Sequence, residues 1–128
     1  MQTSRLRTSY IEDEYLVLSP NRANAGTAYL DITFPNSVSK MSFSTSMWSS
    51  LEGVINEDFK IQYYDNKWND HISIEPSGLS TLKDYPDSFV TLFPKDIKRV
   101  RFYATHSAPS GDRNKGRICI SDFKIEYN

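Results

Sequence analysis

The groups in this 128-residue chain that could do covalent chemistry are few and badly placed for it. The two histidines, His71 beside Asp70 and His106 beside Ser107, read as separate surface positions. No Gly-x-Ser-x-Gly elbow accompanies them, so nothing marks a serine as a nucleophile. Cys119 lies within a strand pattern, where a small residue packs well. A reactive thiol would need a helix N-terminus or cationic neighbours to hold it as thiolate. As the single cysteine it also excludes an internal disulfide and a Cys-based zinc site. Glu57 and Asp58 are adjacent and point to opposite faces of a strand, whereas glycoside hydrolysis needs two carboxyls ~5 to 9 Å apart in one cleft. The five glycines are scattered singly, so no loop is built to cradle a phosphate, and Gly111 to Gly116 reads as a solvated hairpin connection. These absences point away from an enzyme.

What remains is a set of aromatic and basic residues that strand alternation turns away from the core. Trp48 ends a strand on its polar side, Tyr64 shares a side with Lys60 and Gln62, and Arg99, Arg101 and Tyr103 form an outward row. Flat aromatic faces stack on the C–H faces of sugars, and Arg and Gln fork to hydroxyls, so the five suit a glycan site. The same residue types dominate protein interfaces. They also suit plain packing beneath loops, and sequence does not bring them to one sheet. Trp68, just after a turn, reads as a core or rim packing residue.

The elements that must carry these residues are strands. Ten Ile, eight Thr and seventeen Ser against five Ala is a composition for strands and turns. Aromatics at 13% supply large side chains for one core. Leu30, Ile32 and Phe34 alternate before Pro35, and Met41, Phe43, Thr45 and Met47 share one side of Val38 to Trp48. Phe59 to Tyr63, Trp68 to Glu75 (with Ile72 and Ile74 as its apolar pair) and Ser88 to Phe93 continue the rhythm. In Ile97 to Thr105 the inward set is Val100, Phe102 and Ala104, so Arg101 is expected to be cheap to truncate. Arg117 to Tyr127 closes the chain, Glu14 to Leu18 is a further strand, and Ser4 to Ser9 a short one. Helical turns fit only Ser50 to Ile55 and Leu79 to Tyr85. In the last strand Ile118 and Ile120 are even while Phe123, Ile125 and Tyr127 are odd, which one alternating strand cannot bury together. A β-bulge at Ser121-Asp122 repairs the parity.

Seven to nine short strands in a single domain over residues 1–128 define an all-β, two-sheet antiparallel sandwich. A net charge of -1 argues against a polycation that coats nucleic acid or anionic lipid. Residues 52–88 carry eight acids and three bases and 95–128 eight bases and four acids, which reads as solvated faces. No run of apolar residues is long enough for a membrane helix, and none opens the chain as a signal peptide. The expectation is a piece of a longer exported polypeptide, or a cytoplasmic protein if Met1 is the native start.

Five phrases carry a family resemblance: Tyr29 to Phe34, Val38 to Phe43, Asp58 to Tyr64 with Asp65-Asn66-Lys67-Trp68, Ile97 to Phe102, and Gly116 to Ile125. In order, they resemble the galactose-binding-domain-like jelly rolls, accessory modules of secreted bacterial hydrolases and nucleases. A hairpin of the form x-Tyr-x-Asp-Gly-x-Trp and a closing Gly-Arg-x-x-Ile-Asp-Asp-Ile strand are common there. The resemblance runs from about Leu6 to Tyr127 and departs at Asp65-Asn66-Lys67, where Asp-Gly-Gly is usual. It implies a jelly-roll fold and a non-catalytic, carbohydrate-binding module of a larger extracellular bacterial protein. The alternative is a structural or protein-interaction sandwich such as a spacer or phage-tail component. No cofactor is implied. Such jelly rolls often hold a structural calcium, but no Asp-x-Asp-x-Asp spacing is present and no ligands are assigned.

Overall fold

The computed structural model describes residues 2–5, 9–12, 15–22, 26–49, 56–106 and 115–128. Ten strands form: β1 (Gln2–Arg5), β2 (Ser9–Glu12), β3 (Tyr15–Leu18), β4 (Thr27–Thr33), β5 (Val38–Met47), β6 (Asn56–Tyr64), β7 (Trp68–Ile74), β8 (Asp87–Leu92), β9 (Arg99–His106) and β10 (Ile118–Tyr127). One sheet has the order β1-β4-β9-β6-β7 and the other β2-β3-β10-β5-β8, with every pairing antiparallel. Setting aside β1 and β2, which extend one edge of each sheet, β3 to β10 pair in the jelly-roll order. The first, eighth, third and sixth of these strands make one sheet, and the second, seventh, fourth and fifth make the other. The expected sandwich is therefore the one that forms. Short 3₁₀ turns lie at Pro20–Arg22 and Pro76–Gly78, and no helix forms at Leu79 to Tyr85. Residues 50–55, the other expected helical turn, and most of the 107–116 connection fall outside the described residues.

The core follows the alternation. Phe102 of β9, with none of its surface exposed, packs edge-on against Phe43 of β5 at 5.2 Å and meets Phe123 of β10 at 6.2 Å, so it ties one sheet to the other. Phe34 stacks on Phe123 at 6.4 Å, and Phe43 on Phe89 at 5.5 Å. Phe123 joins this cluster because of the expected bulge: the register steps from Ser121↔Ser44 to Lys124↔Ser42, and Asp122 takes the left-handed conformation at φ 51°. Ile118 and Ile120 before the bulge and Phe123 and Ile125 after it then all pack against one core.

A second bulge was not legible in the sequence. In the β6–β7 pair the register passes from Ile61↔Ile72 to Gln62↔Asp70, leaving His71 as the extra residue. Trp68, Asp70, Ile72 and Ile74 are all even, so an unbroken strand would put them on one face. The extra residue flips parity, so that Ile72 and Ile74 face the core while Asp70 and Trp68 sit opposite Gln62 and Tyr64 on the outside. The two strands are joined through Asn66, which adopts φ 62°, the left-handed conformation that Gly usually supplies and that Asn tolerates better than most residues.

Candidate functional site

The outer face of the β1-β4-β9-β6-β7 sheet collects most of the chemically interesting side chains. Cross-strand partners line up across it: Tyr29↔Tyr103, Asp31↔Arg101 and Thr33↔Arg99 between β4 and β9, then Lys60↔Tyr103 and Gln62↔Arg101 between β9 and β6, and Tyr64↔Trp68 between β6 and β7. Antiparallel neighbours of this kind bring Cβ atoms about 5 Å apart, within reach of long and aromatic side chains. Trp68 meets Tyr64 edge-on at 5.3 Å. The Arg101 guanidinium lies 4.0 Å from the Trp68 ring and 4.3 Å from the Tyr29 ring. That of Arg99 lies 4.6 Å from Tyr64 and 5.1 Å from Trp68. Rings and guanidinium planes thus alternate across four strands.

Hydrogen bonds hold the lattice in place. Arg101 donates from Nε and Nη2 to the two Asp31 oxygens, the second bond at 2.9 Å, in the forked geometry that suits a planar carboxylate. Asp31 is only 6% exposed, which corrects the expectation that Arg101 stands free: it neutralises a buried charge. On the neighbouring strands Asp70 accepts from the Gln62 amide at 2.8 Å and from the Lys60 ammonium at 3.1 Å. The Gln62 bond first, and then Lys60, holds the Asp70 carboxyl below the ordinary carboxylate range. Asp70 in turn raises Lys60. The remaining Gln62 oxygen, Oε1, is buried and accepts no hydrogen bond from the described residues. Asp58 lies at the far end of the face, where its Oδ2 is 3.4 Å from the Thr105 hydroxyl.

Four of the five residues singled out from sequence, Tyr64, Arg99, Arg101 and Tyr103, therefore share this face, and Trp48 does not. Trp48 follows β5 in the other sheet. There Lys83 Nζ lies 3.5 Å from its ring centre, the Arg117 guanidinium 4.5 Å, and the Tyr15 ring meets it edge-on. It borders a recess of about 360 Å³ shared with Leu82 and Tyr85. Sequence reasoning missed Trp68, because the bulge at His71 is silent in the sequence. It also passed over Tyr29 and Asp31, whose alternation with Leu30 and Ile32 could have found them.

The groups considered for catalysis stay apart from this face. Cys119 is 1% exposed, its Sγ 3.3 Å from Ser46 Oγ, and burial pushes the thiol up, so it is a neutral packing group. Neither histidine is the surface residue that the sequence suggested. His106 is buried. His71 is half-buried, stacked on Phe93 at 4.8 Å, and its Nε2 is 2.7 Å from Thr91 Oγ1, a bond that joins the edge strands β7 and β8 of the two sheets. Among the described residues no group of three or more His, Cys, Asp or Glu side chains is placed to hold a metal, and no helix is long and apolar enough to cross a membrane.

A jelly-roll β-sandwich with an aromatic and arginine-rich sheet face is the class these features define. Solved structures share its fold. The secreted serine protease VesC from Vibrio cholerae aligns over 97% of this chain at 14% identity and TM-score 0.62, and this chain spans about a quarter (24%) of VesC. A variant of a family 29 carbohydrate-binding module aligns over 95% of this chain and 78% of its own at 14% identity and TM-score 0.53. Another structure of a family 29 module aligns over 91% of this chain and 70% of its own at 15% identity and TM-score 0.51. No family model and no curated protein matches the sequence.

Proposed function

We propose that the chain is a non-catalytic, carbohydrate-binding module whose ligand lies across the outer face of the β1-β4-β9-β6-β7 sheet. The observation that carries this reading is the continuous face of Tyr29, Tyr64, Trp68 and Tyr103 interleaved with forked polar groups already fixed by Asp31 and Asp70. Rings supply stacking area, while Lys60, Gln62 and Asp70 supply donors and acceptors for hydroxyls. Because their rotamers are held by hydrogen bonds and ring contacts, little ordering cost falls on binding. An open sheet face exchanges water hydrogen bonds for protein ones with small net gain, so affinity is modest and stacking provides the surplus. The fold shared with family 29 carbohydrate-binding modules supports the reading, as does the fold shared with part of a secreted protease for a module within a larger extracellular bacterial protein.

The experiment is a glycan array followed by calorimetry on wild type and Trp68→Ala. A ligand that binds wild type and is weakened by the substitution is the expected result. No glycan bound by a folded protein overturns the reading. The alternative occupant is a protein surface, favoured by the Trp, Tyr and Arg content of the face, and a stable oligomer or complex seated there would establish it.

A further inference from the structure

We infer that the sugar this face takes carries an anionic substituent, a uronate carboxylate or a sulfate ester, and that Arg99 receives it. This rests on the carbohydrate reading above and adds the class of sugar. The face holds three cations and three acids, but they are unevenly matched. Arg101 is neutralised by Asp31 and Lys60 by Asp70. Asp58 lies beside Thr105, six residues along β9 from Arg99 and so about 20 Å away at strand rise. The Arg99 guanidinium makes no ion pair or hydrogen bond among the described residues. Its cross-strand partner is Thr33, and the rings beneath it are Tyr64 and Trp68. Asp65 and Lys67 of the neighbouring turn offset each other, and Lys98 adds a further positive charge beside it. One end of the face is thus positive and the other negative.

The state of Arg99 also suits an anion. Its guanidinium carbon lies 4.6 Å from the Tyr64 ring centre and 5.1 Å from that of Trp68, two rings set at 69° to each other, so both rings hold the cation in place without pairing its N–H groups with a carboxylate. That leaves a pre-oriented fork of the kind that binds a carboxylate or sulfate through two oxygens. A neutral sugar can be served by Lys60, Gln62 and Asp70, and gives an unmatched guanidinium nothing to neutralise. Asp58 at the far end repels a second anion there, so the charged sugar is set at the Tyr64–Trp68 end and the chain lies along β9 in one direction.

The test uses matched glycans, uronate-bearing chains with their carboxyl-reduced forms and sulfated chains with their desulfated forms, binding to wild type, Arg99→Gln and Arg99→Lys. Thermal melts confirm that each variant is folded. A hydrogen-bonded charge pair corresponds to about tenfold or more, so the acidic member of one pair should bind at least that much more tightly than its neutral counterpart. The preference should weaken with added salt. It should collapse to within about twofold in Arg99→Gln, whatever that change does to absolute affinity, and persist in part in Arg99→Lys. Whichever pair shows it names the anion. Matched pairs bound equally by wild type, or a preference that survives in Arg99→Gln, overturn the inference while leaving the carbohydrate reading in place. Wild type that binds no member of any pair also overturns the inference, and the glycan array then decides the carbohydrate reading separately.

Discussion

The Arg101 guanidinium lies 4.0 Å from the centre of the Trp68 ring while two of its nitrogens donate to the Asp31 carboxylate. One side chain thereby serves two strands that are not neighbours, β4 and β7, across the intervening β9 and β6. The face is organised around it.

Truncating Arg101 should therefore cost more than an outward arginine normally does. Arg101→Ala leaves the Asp31 carboxylate buried without its partner, a loss of about 3 kcal/mol, against ~3 to 5 kcal/mol for Phe102→Ala in the core. Urea melts of both, with Asp31→Asn and the Asp31→Asn, Arg101→Ala double variant, measure it. The double variant should be destabilised by less than the sum of its parts by about 1 kcal/mol or more. A loss below about 0.5 kcal/mol for Arg101→Ala, as for an ordinary surface change, would refute the pairing as a stabilising one.

The bulge at Asp122 predicts opposite outcomes for deletions two positions apart. Without Asp122, Ile118, Ile120, Phe123 and Ile125 fall into one unbroken alternation, so the shortened strand keeps its core facing and should fold. Without Lys124, Phe123 and Ile125 become neighbours that cannot both face the core, and stable folding should fail. Asp122→Gly should be neutral or mildly stabilising, because the left-handed conformation at φ 51° is unstrained for glycine. Circular dichroism melts separate the variants. A deletion of Asp122 as damaging as that of Lys124 would exclude the bulge.

Stability should fall on mild acidification through His106. Burial holds its imidazole below the ordinary value of 6.5, so the unfolded chain takes up the proton more readily than the folded one. Its neutral form fits fully above about pH 6.5, and stability falls as pH drops below that value until the folded-state pKa is reached. Ordinary carboxylates titrate lower, near pH 4. Urea midpoints of wild type should decline between pH 7 and 5, and those of His106→Gln should decline less. Parallel profiles would refute the assignment.

The two tryptophans should behave differently toward a glycan. Trp68→Ala removes the ring that Arg99, Arg101 and Tyr64 all touch, and should weaken binding by about tenfold, the scale of a stacking contact. Trp48→Ala lies on the other sheet and should change affinity by less than about twofold. Calorimetry with the best array ligand reads both, and the reverse order would move the site to the recess beside Tyr85.

What could be read in the sequence is what the side-chain period of two determines. The facing of β9, with Phe102 in and Arg99, Arg101 and Tyr103 out, follows from strict alternation, and so does the bulge at Asp122, because apolar residues on both sides of it announce the parity change. The bulge at His71 announces nothing, since Ile72, Ile74 and Trp68 are all apolar and all even. A tryptophan in phase with two core isoleucines looks like core. Trp48 was read as outward, but it is half-buried among Tyr15, Lys83 and Arg117 on the other sheet, and which sheet carries a strand is a matter of strand order, set by pairings far apart in the chain. The Asp31–Arg101 pair has the same origin, its members lying 70 positions apart in the chain.

The extra residue in β7 also makes the face a matter of register. Drawing His71 into the ladder opposite Gln62 would carry Asp70 and Trp68 through the plane of the sheet, exchanging an aromatic platform for a plain strand surface with no change of sequence. Loss of position 71 would do the opposite and fix the present facing, since Asp70 then adjoins Ile72 in plain alternation. Because β7 lies at the edge of its sheet, only one neighbouring strand has to tolerate such a slip. The ligand proposed for this face can therefore diverge between relatives through the register of β7 as well as through substitution of the binding residues themselves.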